Sequence, residues 1–74
     1  MVNHLAHMRQ ARHLSRRQLA AMVGVSKEAI RLLELGQRRP SMIIAYKIAE
    51  ALGVSVEQIW PKPGMDDTSL TETS

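Results

Sequence analysis

The chain has 74 residues, an apolar fraction of 45% and a net charge of +3, from ten Lys and Arg against seven Asp and Glu. This length accommodates one small domain, and the absence of cysteine excludes a disulfide framework and a thiolate metal site. No apolar run approaches the roughly 20 residues of a membrane span, and the basic N-terminus lacks the apolar centre of a signal peptide. We therefore expect a soluble, cytoplasmic protein.

Helical spacing of apolar residues predicts five short helices. The chain has no Phe, one Trp and one Tyr, so its core must be built from aliphatic residues, which suits helices better than a sheet. In chain order, the predicted helices span residues 2–13, 16–23, 27–35, 42–52 and 56–60. The fold prediction is all-α: a compact five-helix domain over residues 1–60.

Serines and glycines mark the ends of these predicted helices. Ser15 and Ser55 each precede a glutamine by three residues, which is the spacing of a capping box, and Ser26 and Ser41 are predicted as simple N-caps. The predicted left-handed C-terminal stops are Gly24, Gly36 and Gly53. Residues 61–74 contain only two large apolar side chains, so we interpret them as a flexible acidic tail.

Charge is distributed unevenly along the chain. Residues 1–39 hold eight Lys and Arg against two Glu, a net +6, whereas residues 64–74 hold three acidic residues and no base, a net −3. A basic body with an acidic tail is typical of a protein whose partner is a polyanion, above all nucleic acid. The alternative interpretation is a solvated cationic face with no such partner.

The most informative segment joins the second and third predicted helices through Gly24-Val25-Ser26. Ala20 is small where the third helix must cross closely, and Gly24 permits the positive φ that a three-residue turn requires. Ile30 and Leu33 lie three residues apart and are expected to hold the third helix against the second. Val25 is expected to fill the corner between the two helices.

Three segments in this order carry a family resemblance: Leu14-Ser-Arg-Arg-Gln-Leu-Ala-Ala-Met-Val-Gly-Val-Ser-Lys-Glu-Ala-Ile-Arg-Leu-Leu-Glu-Leu-Gly, then Arg-Arg-Pro-Ser, then Ile48-Ala-Glu-Ala-Leu-Gly-Val-Ser-Val-Glu-Gln-Ile. Together they resemble the helix-turn-helix domains of phage Cro and lambda repressor (the Xre family), over about residues 4–60. The resemblance implies a protein that binds double-stranded DNA through its third helix, placed in the major groove. It implies a transcriptional regulator, most simply a repressor.

The resemblance also implies roles for particular residues. The expected base contacts are Lys27, Glu28, Arg31 and Leu32, with Lys27 donating to guanine, Glu28 accepting from cytosine and Arg31 reaching either a base or a phosphate. The expected phosphate contacts are Ser15, Arg16, Ser26, Arg38 and Arg39. Two positions depart from the family pattern: Arg16 replaces a usual glutamine, and Leu32 replaces a usually polar residue.

Arg9 and Glu34 are expected, from the same resemblance, to form an ion pair that belongs to the scaffold and does not contact DNA. His4 and His7 have a spacing that suits a metal, but the only further histidine, His13, falls on another face. We interpret these histidines as surface residues and expect no metal or cofactor.

Enzymatic activity is not expected, because the four serines noted above are explained as caps and no nucleophile elbow or Walker loop occurs. One such domain makes few base contacts, so we expect a homodimer on DNA. Its candidate interface is Val54, Val56, Ile59 and Trp60, although these residues also suit simple closure of the core. The alternative function is a protein-interaction module, for example an antitoxin, that uses Leu32 and Leu35 with Ile43.

Overall fold

The computed structural model of the chain describes residues 3–61, which form five α-helices and no strand. The helices are α1 (Leu5–Ala11), α2 (Arg16–Val23), α3 (Lys27–Glu34), α4 (Met42–Leu52) and α5 (Val56–Ile59). The all-α prediction is confirmed, and α2 and α4 have their predicted bounds, while α3 and α5 each end one residue early. Apart from Pro61, the segment interpreted as an acidic tail lies outside the described residues.

Serine caps begin four of the five helices, as predicted. Each serine hydroxyl accepts a hydrogen bond from the backbone amide three residues further on, and the glutamines after Ser15 and Ser55 complete capping boxes. The acceptor–donor distances are 3.0 Å for Ser15–Gln18, 3.0 Å for Ser26–Ala29, 3.2 Å for Ser41–Ile44 and 3.2 Å for Ser55–Gln58. These local bonds explain why the starts of α2 to α5 are readable from sequence.

The prediction of a first helix over 2–13 was too long at both ends. At its start, the Asn3 side chain accepts from the Leu5 amide at 3.0 Å, and the His4 amide donates to the Ile59 carbonyl at 2.8 Å. At its end, His13 adopts a φ of +56°, and the Leu14 amide returns to the Arg9 carbonyl at 3.2 Å. A bond to α5 therefore helps to fix the start of α1, a local turn at His13 ends the helix, and neither a serine cap nor a glycine marks these ends in the sequence.

The core lies where α2 packs against α3 and α4, with α1 against α3 and α5 against α4. Its buried apolar residues are Leu5, Leu19, Ala20, Val23, Ile30, Leu33, Ala45, Ile48, Ala49, Leu52, Ile59 and Trp60. Ile59 is fully buried and Trp60 is 8% exposed, so two of the four candidate interface residues close the core of the single chain. Their burial favours the alternative that the sequence left open, simple closure of the core. None of the helices in residues 3–61 is long and apolar enough to cross a membrane.

Candidate nucleic-acid interface

The α2–turn–α3 unit has the geometry that the sequence predicts. Gly24 adopts a φ of +86°, and its amide and that of Val25 both donate to the Ala20 carbonyl, at 2.8 and 3.0 Å. A Cβ at Gly24 would meet no atom within 4 Å, so backbone conformation and not space selects glycine there. Ser26 then caps α3 at once, and the two helices are joined rigidly.

One side of α3 is buried and the other faces solvent. Ile30 and Leu33 are 0% and 2% exposed and attach the helix to the core. The four expected base-contact residues lie away from that side: Lys27 and Glu28 are exposed, and Arg31 and Leu32 are half-buried. The structure therefore places all four on one helix, with the two at its N-terminus the most accessible.

Two of these four residues are bound to each other. Arg31 Nε donates to Glu28 Oε1 at 2.9 Å, and Arg31 Nη2 donates to Glu28 Oε2, so the carboxylate is held by a bidentate pair. The hydrogen bond from Arg31 holds the pKa of Glu28 below its usual value, and Glu28 in turn raises the pKa of Arg31. Sequence analysis treated these side chains as independent base readers, and their pairing was missed.

An open, cationic groove lies where the N-termini of α2 and α3 meet, lined by Ser15, Arg16, Arg17 and Lys27. The groove brings together two of the expected phosphate contacts and one expected base contact. Arg17 was not predicted as part of this site. Three cationic side chains beside the first turn of a helix form an environment that favours an anion, because the helix N-terminus adds its own partial positive charge.

Glu34 is bound by two arginines, one of which, Arg16, also lines this groove. Arg9 Nε donates to its Oε2 at 2.5 Å, and Arg16 Nε donates to its Oε1 at 2.9 Å. The Glu34 side chain is 2% exposed and Arg9 is 10% exposed, whereas Arg16 is 38% exposed. Arg9 also donates to the Leu14 carbonyl at 2.7 Å. The cluster joins α1, the start of α2 and the end of α3.

Arg16 therefore belongs both to a buried cluster and to an exposed groove. Only its Nε is committed to Glu34, so its terminal nitrogens remain for another acceptor. Sequence analysis assigned Arg16 to a phosphate and did not foresee the bond to Glu34. The one available signal was that an arginine stands where the family usually has a glutamine.

Arg38 and Arg39 are exposed in the segment between α3 and α4. Both border a small depression between these helices, whose apolar lining includes Leu33 and Ile44. Arg39 also borders a second depression that contains Trp60. The structure thus places this pair beyond the C-terminal end of α3, at the opposite end of that helix from the groove.

The other candidates for chemistry were the histidines, as metal ligands, and the serines, as nucleophiles. No group of His, Asp and Glu within residues 3–61 is placed to hold a metal ion, and His4 and His7 are exposed on α1. The serine hydroxyls serve as helix caps, as described above.

Two of the three apolar residues that the sequence singled out as a possible partner surface are exposed. Leu32 is half-buried, whereas Leu35 is 50% exposed and Ile43 is 68% exposed. On α4, Met42 and Tyr46 are exposed beside Ile43, and sequence analysis had not grouped them. Val54 and Val56, the remaining candidate interface residues, are half-buried against the core.

These features define a five-helix domain of the helix-turn-helix class, and comparison with known proteins agrees. Residues 5–59 match a family model described as Helix-turn-helix, and the chain belongs to that family. The predicted Cro- and lambda-repressor-like membership is thereby confirmed.

Individual relatives are HTH-type transcriptional regulators. One from Methanocaldococcus jannaschii is 38% identical over 60 residues, covering 81% of this chain and 91% of the relative. One from Sinorhizobium fredii is 37% identical over 60 residues, covering 80% and 78%. One from Mycobacterium tuberculosis is 40% identical over 63 residues, covering 85% of this chain but 45% of the relative. The chain thus spans less than half of the mycobacterial relative.

Proposed function

We propose that this protein is a transcriptional regulator that binds double-stranded DNA in a sequence-specific manner and acts as a repressor. Helix α3 enters the major groove, where Lys27, Arg31 and Leu32 meet base edges. Occupancy of an operator blocks RNA polymerase by steric exclusion. Regulation, and not catalysis, is the role that we assign to the domain.

The observation that carries this proposal is the cationic groove beside the exposed face of α3. Arg16, Arg17 and Lys27 converge at one end of that helix, and Arg38 and Arg39 lie beyond its other end. A helix lying in the major groove is flanked by phosphates on both sides, so cations at both ends suit that geometry. Ser15 and Ser26 add capped helix N-termini, which also favour phosphate.

We further propose that two copies bind one operator. The candidate contact is now restricted to Val54 and Val56, since Ile59 and Trp60 are buried in the core. Val56 borders a shallow depression together with the exposed Met42, so two apolar side chains at this depression are available for contact with a second copy. A two-fold dimer predicts an inverted repeat with half-sites about one helical turn apart.

Selection from a randomised duplex library, followed by sequencing of the bound pool, tests the proposal. An enriched inverted repeat is the expected result. The salt dependence of binding to the selected duplex then tests the phosphate contacts, because each removed contact lowers the slope of log K against log salt by about one unit. A flat salt response would contradict the phosphate assignments.

A second candidate function is favoured by the exposed apolar side chains: the domain binds a protein partner, as an antitoxin binds a toxin. Leu35 and Ile43 are the expected contacts, with Leu32 as a half-buried contributor. Replacing Ile43, which is exposed on α4 and is not one of the proposed DNA contacts, by Gln should leave DNA binding intact, while partner binding is lost. A folded protein that enriches no DNA sequence would favour this second function over the first.

A further inference from the structure

The ion pair between Glu28 and Arg31 changes which residues of α3 we expect to contact DNA bases. We propose that Arg31 reads a guanine in the major groove, and that Glu28 positions Arg31 and does not itself read a cytosine. This inference rests on the proposed function, because it specifies how the same helix selects its site.

The geometry of the pair determines which donors remain for DNA. Glu28 takes the side edge of the guanidinium, namely Nε and one hydrogen of Nη2. A guanidinium has five N–H donors, so Nη1 and the second hydrogen of Nη2 stay free at its end. These two parallel donors match the adjacent O6 and N7 acceptors of guanine. The pair thus leaves the arginine fork able to make a bidentate contact.

The location of the pair supports contact with DNA. The Glu28 side chain is 61% exposed and that of Arg31 is 39% exposed, on the side of α3 away from Ile30 and Leu33. Arg31 is one helical turn after Glu28, so the carboxylate draws the long guanidinium along the exposed face and restricts its rotamers. An arginine held in this way loses less entropy when it binds a base.

Electrostatics argues against Glu28 as an independent reader. A free carboxylate turned towards DNA meets the repulsion of the phosphates, whereas one bound by Arg31 is neutralised. Lys27 and Arg16 also lie close enough to stabilise its negative charge. The bidentate bond already engages both oxygens of Glu28 and compensates its charge, which weakens any hydrogen bond that it accepts from a cytosine amino group.

An alternative is that the pair is an ordinary solvated ion pair along a helix, without influence on base preference. That alternative predicts that neither residue alters which base is selected. The two interpretations therefore differ in a readout that folding stability does not affect: the identity of the preferred base at one position of the half-site.

The experiment compares the base preferences of the wild type, Arg31→Lys, Glu28→Gln and the double variant, by library selection and then by competition with duplexes that differ at one base pair. Arg31→Lys retains the charge but not the fork. Glu50→Gln is the matched control, because it also removes one exposed carboxylate, but on α4. Circular dichroism verifies that each variant is helical.

We expect the wild type and the control to prefer guanine at one position by about 5- to 150-fold, and Arg31→Lys to reduce that preference, because an ammonium still donates to guanine but lacks the rigid parallel fork. Glu28→Gln should weaken the preference at the same base pair, and the double variant should be no worse there than Arg31→Lys. A duplex with 7-deazaguanine at that position, which lacks the N7 acceptor, should bind the wild type less tightly and should weaken Arg31→Lys by a smaller factor.

Three results would overturn the inference. If Glu28→Gln alters a base pair that Arg31→Lys leaves intact, or if the two effects add, Glu28 reads a base directly. If Arg31→Lys weakens all sequences equally, Arg31 contacts a phosphate. If the wild type binds duplexes without any base preference, the proposed function itself fails, and that outcome is visible before any variant is made.

Discussion

The two glutamates of α3 both form ion pairs with arginine, but the two pairs have different roles. Glu34, at the end of the helix, is 2% exposed and bound by Arg9 and Arg16, whereas Glu28, in the first turn, is 61% exposed and bound by Arg31. Both carboxylates accept from an arginine Nε. Their surroundings differ, and the surroundings set the energetic consequences.

Burial makes the Arg9–Glu34 pair a structural element in which neither residue can be removed alone without a large loss of stability. A buried charge that loses its partner stays desolvated, so removing one member is far more harmful than the pair is stabilising. The exposed pair is solvated on one side and adds little to stability. Its role is to orient the Arg31 guanidinium, and that role concerns base recognition and not stability. Arg16 connects the two settings, since it binds Glu34 and lines the groove.

The largest expected effect comes from Glu34→Ala, which leaves Arg9 buried without its carboxylate. We expect the free energy of unfolding to fall by about 3–5 kcal/mol, enough to unfold much of a domain this small. Urea denaturation followed by circular dichroism measures the change. The matched control, Glu50→Ala, removes an exposed carboxylate from α4 and should change the value by less than about 0.5 kcal/mol.

A further variant removes both members of the buried pair, Arg9 and Glu34. It separates the loss of their hydrogen bonds from the cost of a lone buried charge. The double variant Arg9→Met with Glu34→Leu should be more stable than Glu34→Ala alone, because no unpaired charge remains in the interior. If the double variant is the less stable of the two, the cluster contributes through its bonds and not through the avoidance of a lone buried charge.

A smaller effect is expected from the two capping boxes. Ser15→Ala and Ser55→Ala each remove one N-cap and should each lower the free energy of unfolding by about 1 kcal/mol. Only Ser15 lines the cationic groove, so only Ser15→Ala should also weaken DNA binding. Fluorescence anisotropy at fixed salt provides that second measurement. Equal losses of affinity in both variants would mean that stability alone accounts for them.

The variant Arg16→Gln introduces the residue that the family usually has. It tests the two contacts of Arg16 separately: the bond to buried Glu34 through stability, and the proposed phosphate contact through the salt dependence of DNA binding. Its exposed fraction of 38% predicts a stability change below about 1 kcal/mol. The slope of log K against log salt should decrease by about one unit per protomer. Lys47→Gln, an exposed cation on α4, is the control and should leave the slope unchanged. An unchanged slope in Arg16→Gln would remove Arg16 from the phosphate contacts.

The smallest effect concerns the exposed pair. Because Arg31 lowers the pKa of Glu28 in the folded chain, the pair stabilises α3 fully above the usual value of 4.5, and this contribution is lost as the pH falls through the lowered value. The melting temperature of the wild type should therefore exceed that of Glu28→Gln slightly at pH 7 and converge with it on acidification. A difference that grows at low pH would contradict this sign.

The sequence by itself determined the parts of this protein that depend on bonds between near neighbours. The serine caps that begin α2 to α5 and the left-handed turn at Gly24 involve residues within three or four positions of one another. Such bonds depend on nearby residues more than on the packing of distant ones, so the bounds of α2 and α4 and the starts of α3 and α5 could be predicted. The apolar spacing likewise indicated which side of α3 is buried.

Tertiary structure alone decided which side chains meet across helices and which apolar residues remain exposed. The start of α1 depends on the Asn3 side chain, whose Nδ2 donates to the Leu33 carbonyl 30 residues away. It also depends on the bond from the His4 backbone amide to the Ile59 carbonyl. The bond from Arg16 to Glu34 spans 18 residues, and Trp60 is core because α4 and α5 close around it. Composition and periodicity show that a residue is apolar or charged, but burial and partners depend on how the helices pack.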